Sequence, residues 1–387
     1  MTEAVIVSAV RTPIGRSHKG TLREVDAFQL ARTAVTAAVD RSGLPVEEID
    51  DLVLAESLQG GGVIGRYVAL EAGMTAVPAV AVNRHCAGGL SAVQLAAASI
   101  RSGMDRVVIA GGTESLSTMP RVLKSVPPSA GEPTAWMSPT HPETPRAPAA
   151  DMSVTVGENT ARLAGIGRKE ADAWALASHT RAATAIAAGH FAQEITPVPL
   201  PDGSEFGVDE HPRAGTTAER LAELPVLHPE LDGAVITAGN SAGLNDGAAA
   251  LVVTSDGYAA AHGIAPLGRV VAWASVGVEP ERTGLAPTLA IPLALERAGL
   301  KSSDIDLFEI NEAFTTVAAA SSKILGIEET RLNVNGSGCG LGHPVAATGA
   351  RMVVTMLGEL RRRGATFGCL SMCAGGGLGS ALIVELL

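Results

Sequence analysis

Aromatic rings, cysteines and positive charge are scarce in this chain of 387 residues, and each shortage excludes a class of protein. Phe, Trp and Tyr make up 3% of the sequence, and the formal net charge is −11. Nucleic acid is not an expected partner, because both phosphate-neutralising cations and stacking rings are few. Four cysteines in so long a chain do not form a secreted disulfide scaffold, which favours a reduced, cytoplasmic location.

Long hydrophobic runs are missing as well. No run reaches the roughly 18 apolar residues that span a bilayer, so no membrane partner is expected. The amino terminus lacks a basic segment and enters an apolar, strand-like run at residues 4–7, so we expect no signal peptide. What the chain does have is 46% hydrophobic residues and 44 glycines, enough for a large and closely packed core. A disordered chain is excluded on this composition.

Short apolar runs alternate with longer segments of helical periodicity, which is typical of an α/β protein. The predicted strands include 5–9, 52–54, 79–82, 106–110, 307–310 and 366–372. Helices are predicted over 27–38 and 90–100, with Gly43 and Gly103 in C-cap positions. A last helix is expected to begin at Pro344, because proline suits the first helical position.

The two ends of the sequence resemble each other. Sliding the chain by 256 residues pairs several positions, and a weaker echo relates the Val-Asn steps before two cysteines. The matched pairs are Ala38 with Ala294, Arg41 with Arg297, Gly43 with Gly299, Ile49 with Ile305, Glu56 with Glu312 and, in the echo, Asn83 with Asn335. Two echoes in the same order favour an internal duplication of one α/β unit.

The middle of the chain has a different composition. Residues 120–150 contain eight prolines, too many for a helix or a central strand. We interpret this region as an inserted loop domain, with a disordered linker over 120–150 as the alternative. The expected limits are an N-terminal half at 1–118 that is completed by 234–267, a loop domain at 119–233 and a C-terminal half at 268–387.

Cys86 is the first candidate for chemistry. It stands between a predicted strand and a predicted helix and is followed by Ala-Gly-Gly. A thiol at the amino end of a helix faces the positive pole of the helix dipole, which favours the nucleophilic thiolate. A buried structural cysteine is the alternative interpretation.

His343 and Cys373 lie in two further glycine-rich loops. His343 follows alternating glycines in the segment 336–342, where an imidazole could act as general base to a thiol. Cys373 follows a predicted strand and precedes Ala-Gly-Gly-Gly, so its neighbours offer backbone N–H groups of the kind that form an oxyanion hole. Packed residues in tight turns remain the alternative for both. Asn311, at the end of the strand 307–310, either caps a helix or joins the site.

Other patterns were weighed as competitors. Ser241 lies in a G-x-S-x-G sequence, and Asp304 and His343 follow in the order of a serine hydrolase. No metal site is expected, because Cys369 and Cys373 are four residues apart on a strand and therefore about 13 Å apart, too far for two ligands of one zinc ion. The phosphate-binding glycine motifs of nucleotide folds are absent from the sequence.

Together these segments resemble the thiolase family over essentially the whole chain. The resemblance rests on five short blocks in order, none of them specific alone. The blocks are Asn83-Arg84-His85-Cys86, the run 237–249 (TAGNSAGLNDGAA), Asn311-Glu312-Ala313-Phe314, the run 333–336 with Gly342-His343-Pro344, and Cys373-x-Gly375-Gly376-Gly377.

The resemblance implies a layered α-β-α-β-α fold in which two α/β halves, each with a mixed five-stranded sheet, pack face to face. It implies a nucleophile at Cys86 with His343 as its base, and Cys373 as the group that moves the α-proton. His343 and a water held by Asn311 would form one oxyanion hole, and the N–H groups of Cys86 and Gly375 the other.

Coenzyme A is the implied substrate, with no permanently bound cofactor. Arg213 would contact its phosphoadenosine part in the loop domain, and Ser241 and Ala242 would lie along its path. A homodimer or homotetramer is the expected assembly. The implied reaction is the reversible thiolytic cleavage of a 3-oxoacyl-CoA to acetyl-CoA and a shortened acyl-CoA.

Departures from the family pattern concern the acyl pocket. Residues 337–340 read Ser-Gly-Cys-Gly, the loop 59–66 is short, and Asp151-Met152 stands where biosynthetic members usually have His-Met. Ala346 replaces a usual glycine. These changes favour a degradative 3-oxoacyl-CoA thiolase over a biosynthetic acetoacetyl-CoA thiolase. A serine hydrolase using Ser241, a non-catalytic acyl-CoA-binding module and a decarboxylating ketoacyl synthase are the further alternatives.

Overall fold

The computed structural model describes residues 2–127 and 131–387, so part of the proline-rich stretch, 128–130, lies outside the described residues. The strands are β1 (Ala4–Arg11), β2 (Gly15–Arg16), β3 (Asp51–Ala55), β4 (Ala79–Val82), β5 (Val107–Ser115), β6 (Val122–Lys124), β7 (Thr134–Trp136), β8 (Val198–Pro199), β9 (Glu205–Phe206), β10 (Asn245–Ser255), β11 (Gly268–Gly277), β12 (Leu307–Ile310), β13 (Phe367–Ala374) and β14 (Leu378–Leu386).

The α-helices are α1 (Ala27–Ser42), α2 (Ile64–Glu71), α3 (Gly88–Ser102), α4 (Asn159–Ala164), α5 (Arg168–Ala187), α6 (Ala218–Ala222), α7 (Asp256–Ala261), α8 (Pro287–Ala298), α9 (Thr315–Leu325), α10 (Gly338–Leu341) and α11 (Thr348–Arg363). Short 3₁₀ helices cover Val46–Glu48, Pro280–Leu285 and Ser302–Asp304, and a π-helix covers Ser153–Glu158. Within the described residues, no helix is both long and apolar enough to cross a membrane.

The main sheet repeats one strand order in two halves. In the first half the order is β1-β10-β5-β3-β4, with β3 parallel to both of its neighbours. In the second half it is β11-β14-β13-β12, and the fifth place holds a single parallel bridge between Phe308 and Leu332. The halves meet edge to edge at β1 and β11, through the pairs Val5–Arg269 and Ile6–Gly268. The expected five-stranded sheet is therefore complete only in the first half.

Helices separate and cover the two half-sheets. Helices α3 and α11 pack against each other and against strands of both halves, so they form a central layer. Helices α1 and α2 cover the first half from outside, and α8 and α9 cover the second. Three buried apolar clusters fill the spaces between these layers. This arrangement confirms the expected α-β-α-β-α class with duplicated halves.

Close backbone contact joins α3 to α11. A Cβ at Gly89 would lie 2.6 Å from the Ala350 nitrogen, and one at Gly349 would lie 2.3 Å from the Leu90 nitrogen. Side chains at these two positions would clash with backbone, so glycine is required for the helices to touch. The contact matters because Cys86 precedes α3 and His343 precedes α11.

Two expectations about element boundaries were wrong. The last helix begins at Thr348 rather than at Pro344, because Pro344 lies in a turn whose carbonyl accepts hydrogen bonds from Ala347 and Thr348. The return to the sheet after the insertion begins at Asn245 in β10, not near residue 234, since 234–244 is irregular apart from isolated bridges. Between β5 and β10 the chain forms the hairpin β6–β7 and helices α4 to α6. We propose 119–233 as the limits of this loop domain.

Candidate active site

Cys86 lies in the turn that joins β4 to α3. The preceding residue, His85, has φ 45°, a left-handed conformation that is uncommon for a residue other than glycine. The backbone N–H groups of Gly375 and of Cys86 itself act to lower the pKa of the Cys86 thiol. Burial nevertheless raises the pKa of the Cys86 thiol to about 11. Desolvation therefore raises the pKa of Cys86 by more than the helix dipole lowers it. The resting residue is a thiol, not the thiolate that the helix position predicted.

Cys373 is the second thiol of the site. It is buried near the end of β13, where it pairs with Gly379 of β14. Burial raises its pKa, and the charge that Cys86 would carry raises it further, so the two sulfurs lie within electrostatic reach of each other. Both cysteines are free of disulfide bonds. Two adjacent thiols allow one to carry a covalent group while the other moves a proton.

His343 is held in a single orientation by its surroundings. Its backbone N–H donates to the Asn245 side chain at 2.9 Å. Its Nδ1 lies 2.7 Å from the Thr348 hydroxyl, and that hydroxyl donates its own proton to the Pro344 carbonyl. Nδ1 must therefore be the donor, which leaves Nε2 with the lone pair. Burial, with a smaller effect of the Arg351 charge, lowers the pKa of His343 to about 3, so the ring is neutral.

Asn311 lies beside this imidazole. Its Nδ2 is 3.5 Å from each ring nitrogen of His343, and its backbone N–H donates to the Ser371 carbonyl. Its Oδ1 is buried without a hydrogen-bond partner among the described residues. A Cβ at Gly338 would come within 2.5 Å of that oxygen. Glycine at 338 thus leaves the amide oxygen room to accept a hydrogen bond.

Gly375 follows β13 and is covered by the loop domain. A Cβ at this position would lie 3.2 Å from Thr140 Cγ2 and 3.6 Å from Met152 Sδ. The next residue, Gly376, has φ 90° and no room for a side chain beside the Thr140 carbonyl. The loop domain therefore roofs the turn whose N–H group points at Cys86.

One buried carboxyl group connects the Cys86 and His343 parts of the site. Glu114 accepts hydrogen bonds from the Ala346 backbone, three residues after His343, and from Leu58 and Gln59. Its charge also acts on the Cys86 thiol. Burial raises the pKa of Glu114 to about 7. Glu114 thus links the Cys86 segment to the loop that follows His343, and we propose that Cys86, Cys373, His343, Asn311 and Gly375, all expected from the sequence, form one site.

Comparison with known proteins decides the family. The sequence models described as "Thiolase, N-terminal domain" and "Thiolase, C-terminal domain" match residues 4–257 and 264–386.

The chain belongs to the thiolase family. It is 39% identical, over the full length of both chains, to an acetyl-CoA acetyltransferase of Escherichia coli and to a 3-ketoacyl-CoA thiolase of Bacillus subtilis. Among solved structures, it resembles an acetyl-CoA acetyltransferase of Bacillus anthracis (TM-score 0.90, 37% identity, 100% of this chain and 99% of that one). It also resembles human mitochondrial 3-ketoacyl-CoA thiolase in complex with CoA (TM-score 0.91, 32% identity, 100% and 98%). The protein is accordingly an acyltransferase with thiolase activity.

A positively charged cavity of about 450 Å³ opens beside the thiolase site. Arg213 and Ser241 line it, together with two arginines that sequence reasoning missed, Arg16 and Arg220. The cavity reaches Gly243, and the next residue, Leu244, forms a bridge with His343. Ala242 does not line the cavity. Its N–H donates a hydrogen bond to the Ala313 carbonyl. The cavity thus contains three cationic side chains and ends next to the residue that bridges to His343.

Ser241 is not part of a hydrolase triad in this thiolase. Its hydroxyl donates to the Thr237 carbonyl at 2.7 Å. Asp304, the acid expected in hydrolase order, is exposed and caps a short 3₁₀ turn through the Lys301 backbone. The serine hydrolase alternative is therefore not favoured.

Sequence reasoning also missed residues that support the site rather than react. Thr348, Asn245 and Glu114 fix the ring, the backbone and the loop around His343. Thr348 could have been found from its spacing, since it lies five residues after a candidate histidine. The sequence could not have identified Glu114 as a supporting residue, because a carboxylate at the end of a strand is common in an acidic chain.

Proposed function

We propose that this thiolase cleaves 3-oxoacyl-CoA substrates with coenzyme A, giving acetyl-CoA and a shortened acyl-CoA, in a degradative role such as fatty-acid β-oxidation. The observation that supports it most is that Cys86 and Cys373 interact electrostatically, which suits a reaction that needs two thiols, while burial keeps His343 neutral as a base requires. Relatives with near-equal identity carry the names acetyl-CoA acetyltransferase, 3-ketoacyl-CoA thiolase and β-ketoadipyl-CoA thiolase. Biosynthetic acetoacetyl-CoA thiolase is therefore the alternative.

The first half-reaction transfers the acyl group to the enzyme. His343 Nε2 takes the proton of the Cys86 thiol, and the sulfur attacks the 3-oxo carbon. The bond between C2 and C3 breaks, which leaves the shortened acyl group on Cys86 and releases the enolate of acetyl-CoA. The Cys373 thiol gives its proton to the enolate carbon and is left as a thiolate. A high resting pKa suits both thiols, because each is charged only while substrate is bound.

The second half-reaction restores the resting site. Coenzyme A loses its thiol proton to the Cys373 thiolate, and its sulfur attacks the acyl-Cys86 thioester. The Cys86 sulfur leaves and recovers its proton from the His343 imidazolium. Condensation follows the same steps in reverse: Cys86 first takes the acyl group from an acyl-CoA and releases coenzyme A, and Cys373 then removes an α-proton of acetyl-CoA, whose carbon attacks the acyl-Cys86 thioester.

Two negative charges develop on oxygen in these steps. The N–H groups of Cys86 and Gly375 would stabilise the oxyanion on the carbon bonded to Cys86. The Nε2–H of protonated His343, with a water held by Asn311, would stabilise the enolate oxygen. The unpaired Asn311 Oδ1 supports this assignment, because a buried acceptor of this kind can hold such a water. Donors fixed in advance contribute strongly in a site of low dielectric constant.

Coenzyme A is proposed as a substrate that uses the cationic cavity, and no permanently bound cofactor is proposed. Arg213, Arg16 and Arg220 offer positive charge to its phosphates. Ser241 lines the same cavity, and Ala242 is adjacent to it. A cavity that runs from these arginines toward His343 suits a long substrate with an anionic head and a reactive thiol end.

A cytoplasmic homodimer or homotetramer is the proposed form. The edge strand β4 leaves Val80 43% exposed, and the hairpin β6–β7 and its neighbour leave Leu123 and Met137 more than half exposed. Apolar side chains on an unpaired edge and a projecting hairpin are typical of surfaces that pair with another copy. Sedimentation analysis would distinguish the two assemblies from a monomer.

The proposed function is tested by measuring kcat/KM for thiolysis of acetoacetyl-, medium-chain and branched 3-oxoacyl-CoA. A preference for chains longer than acetoacetyl supports the degradative role. A preference for acetoacetyl-CoA would favour the biosynthetic alternative. If the protein bound coenzyme A but catalysed neither thiolysis nor condensation, the result would support the alternative of a non-catalytic acyl-CoA-binding module.

A further inference from the structure

A small polar network flanks Met152, the residue that lies over Gly375. Asp151 Oδ1 accepts hydrogen bonds from the Ser153 backbone at 3.0 Å and from the Ser153 hydroxyl at 2.5 Å. His228, which is distant in sequence, places Nε2 2.6 Å from the same hydroxyl and Nδ1 2.9 Å from Glu230 Oε1. Met152 thus lies between Asp151 and Ser153, the two neighbouring residues that these hydrogen bonds fix.

The network's hydrogen bonds can be assigned by counting protons. A carboxylate only accepts, so the single proton of the Ser153 hydroxyl goes to Asp151. His228 Nε2 must then donate to the Ser153 oxygen, and Nδ1 must donate to Glu230. All four contacts are satisfied only when both ring nitrogens carry protons. The charged groups that face His228 are Asp151, with an oxygen 3.6 Å from Nε2, and Glu230.

A Ser-His-acid arrangement at these distances resembles a hydrolase triad. The hydrogen-bond directions argue against a hydrolase triad. The Ser153 hydroxyl donates its hydrogen bond to Asp151, so His228 does not accept the serine proton as a general base would. The network instead links the turn at 228–230 to the first turn of the π-helix Ser153–Glu158. Within that turn, Met152 Sδ approaches the position where a Cβ of Gly375 would lie.

We propose that His228, as an imidazolium between Glu230 and the Asp151–Ser153 pair, is a positioning residue that fixes Met152 over Gly375 and so shapes the acyl side of the substrate site. This inference rests on the proposed function, since it assumes that an acyl group lies near Gly375. Loss of the His228 ring removes the hydrogen bonds to Ser153 and Glu230 and loosens Met152. Substrate binding is then weaker, while the reacting groups stay intact.

The test compares His228→Gln and Ser153→Ala with wild type in thiolysis of a medium-chain 3-oxoacyl-CoA between pH 6 and 8. Ser204→Ala is the matched control, because Ser204 makes the same hydroxyl and backbone contacts to Asp202 without a histidine. At pH 6.5 both variants should raise KM about fivefold, the effect of one lost charge-assisted hydrogen bond, and change kcat less than about twofold.

A second measurement does not depend on turnover. The melting temperature of His228→Gln should lie below that of wild type, because the glutamine amide cannot reproduce both hydrogen bonds of the ring. Equal KM values and equal melting temperatures would overturn the proposal, and so would labelling of Ser153 by a fluorophosphonate probe. If wild type turned over no 3-oxoacyl-CoA, the proposed function would fail, whereas the melting comparison would still decide whether the charged network exists.

Discussion

The Nδ1 atom of His343 lies 2.7 Å from the hydroxyl of Thr348, and this contact determines which ring nitrogen can act as a base. The Thr348 hydroxyl donates its hydrogen bond to the Pro344 carbonyl and can only accept one from the histidine, so Nδ1 carries the ring proton. Nε2 is therefore the basic atom. A neutral imidazole with its lone pair on the required side is ready to accept a thiol proton without first losing one.

Replacement of Thr348 should disturb this tautomer. Thr348→Val keeps the shape of the side chain but removes the acceptor, so we expect kcat for thiolysis to fall about tenfold to a hundredfold, less than the roughly hundredfold to ten-thousandfold lost when a positioned general base is removed altogether. Thr33→Val is a suitable control, since Thr33 makes the same helical bond to a carbonyl four residues earlier and contacts no histidine. Steady-state kinetics that show equal losses in both variants would contradict the assignment.

Acid should destabilise the fold through His343. Burial lowers its pKa to about 3, against about 6.5 in an unfolded chain. Between these values the unfolded state binds the extra proton, so the unfolding free energy is complete above about pH 6.5 and falls as pH falls. For this group the loss at pH 5 is about 2 kcal/mol. Urea unfolding at pH 7 and pH 5 should show a smaller loss for His343→Gln than for wild type, and an unchanged loss for His262→Gln, an exposed histidine.

Cys373 should be needed for proton transfer at the α-carbon. In Cys373→Ala, exchange of the acetyl-CoA α-protons in D₂O should fall at least about a hundredfold, because the group that removes them is gone. Cys369→Ala, four residues earlier on the same strand and equally buried, is the control and should retain exchange. NMR detection of the exchange checks both variants. Exchange at the wild-type rate in Cys373→Ala would assign the proton transfer to another group.

Arg213 should contribute to recognition of the coenzyme's phosphates. Arg213→Ala should raise KM for coenzyme A about tenfold, in line with a charge-assisted contact to an anion. The variant should also discriminate less between coenzyme A and its 3′-dephospho form. Arg297→Ala removes an exposed arginine that bonds only the Trp273 carbonyl and lies outside the cavity, so it should leave both quantities unchanged. A KM for coenzyme A that stays at the wild-type value in Arg213→Ala would place the phosphates elsewhere.

Much of this site could be predicted from the sequence, because its reactive residues lie in loops that join strands to helices. Cys86, His343 and Cys373 each lie in a glycine-rich segment, and the weaker echo relates the Val-Asn step before Cys86 to the Val-Asn step that precedes the His343 loop. The strand order around β1 and β11 is the structural form of that repeat. The local sequence pattern and the internal repeat were therefore sufficient to predict these site residues and the two similar halves.

Properties that depend on burial or on distant partners could not be predicted. The helix position of Cys86 indicated a thiolate, but desolvation is the larger effect and only the packed structure reveals it. Pro344 looked like a helix start, yet its carbonyl is used by Thr348 to orient His343. The contact between Ser153 and His228 spans 75 residues, and neither residue carries a local signal of it.

The central claim is that Cys86 carries the acyl group, and mass spectrometry of the protein after brief incubation with acetyl-CoA tests it most directly. We expect an acetyl group on the peptide that contains Cys86, its loss on addition of coenzyme A, and no adduct or thiolysis in Cys86→Ala. An adduct confined to another residue, or thiolysis that persists in Cys86→Ala, would contradict the account.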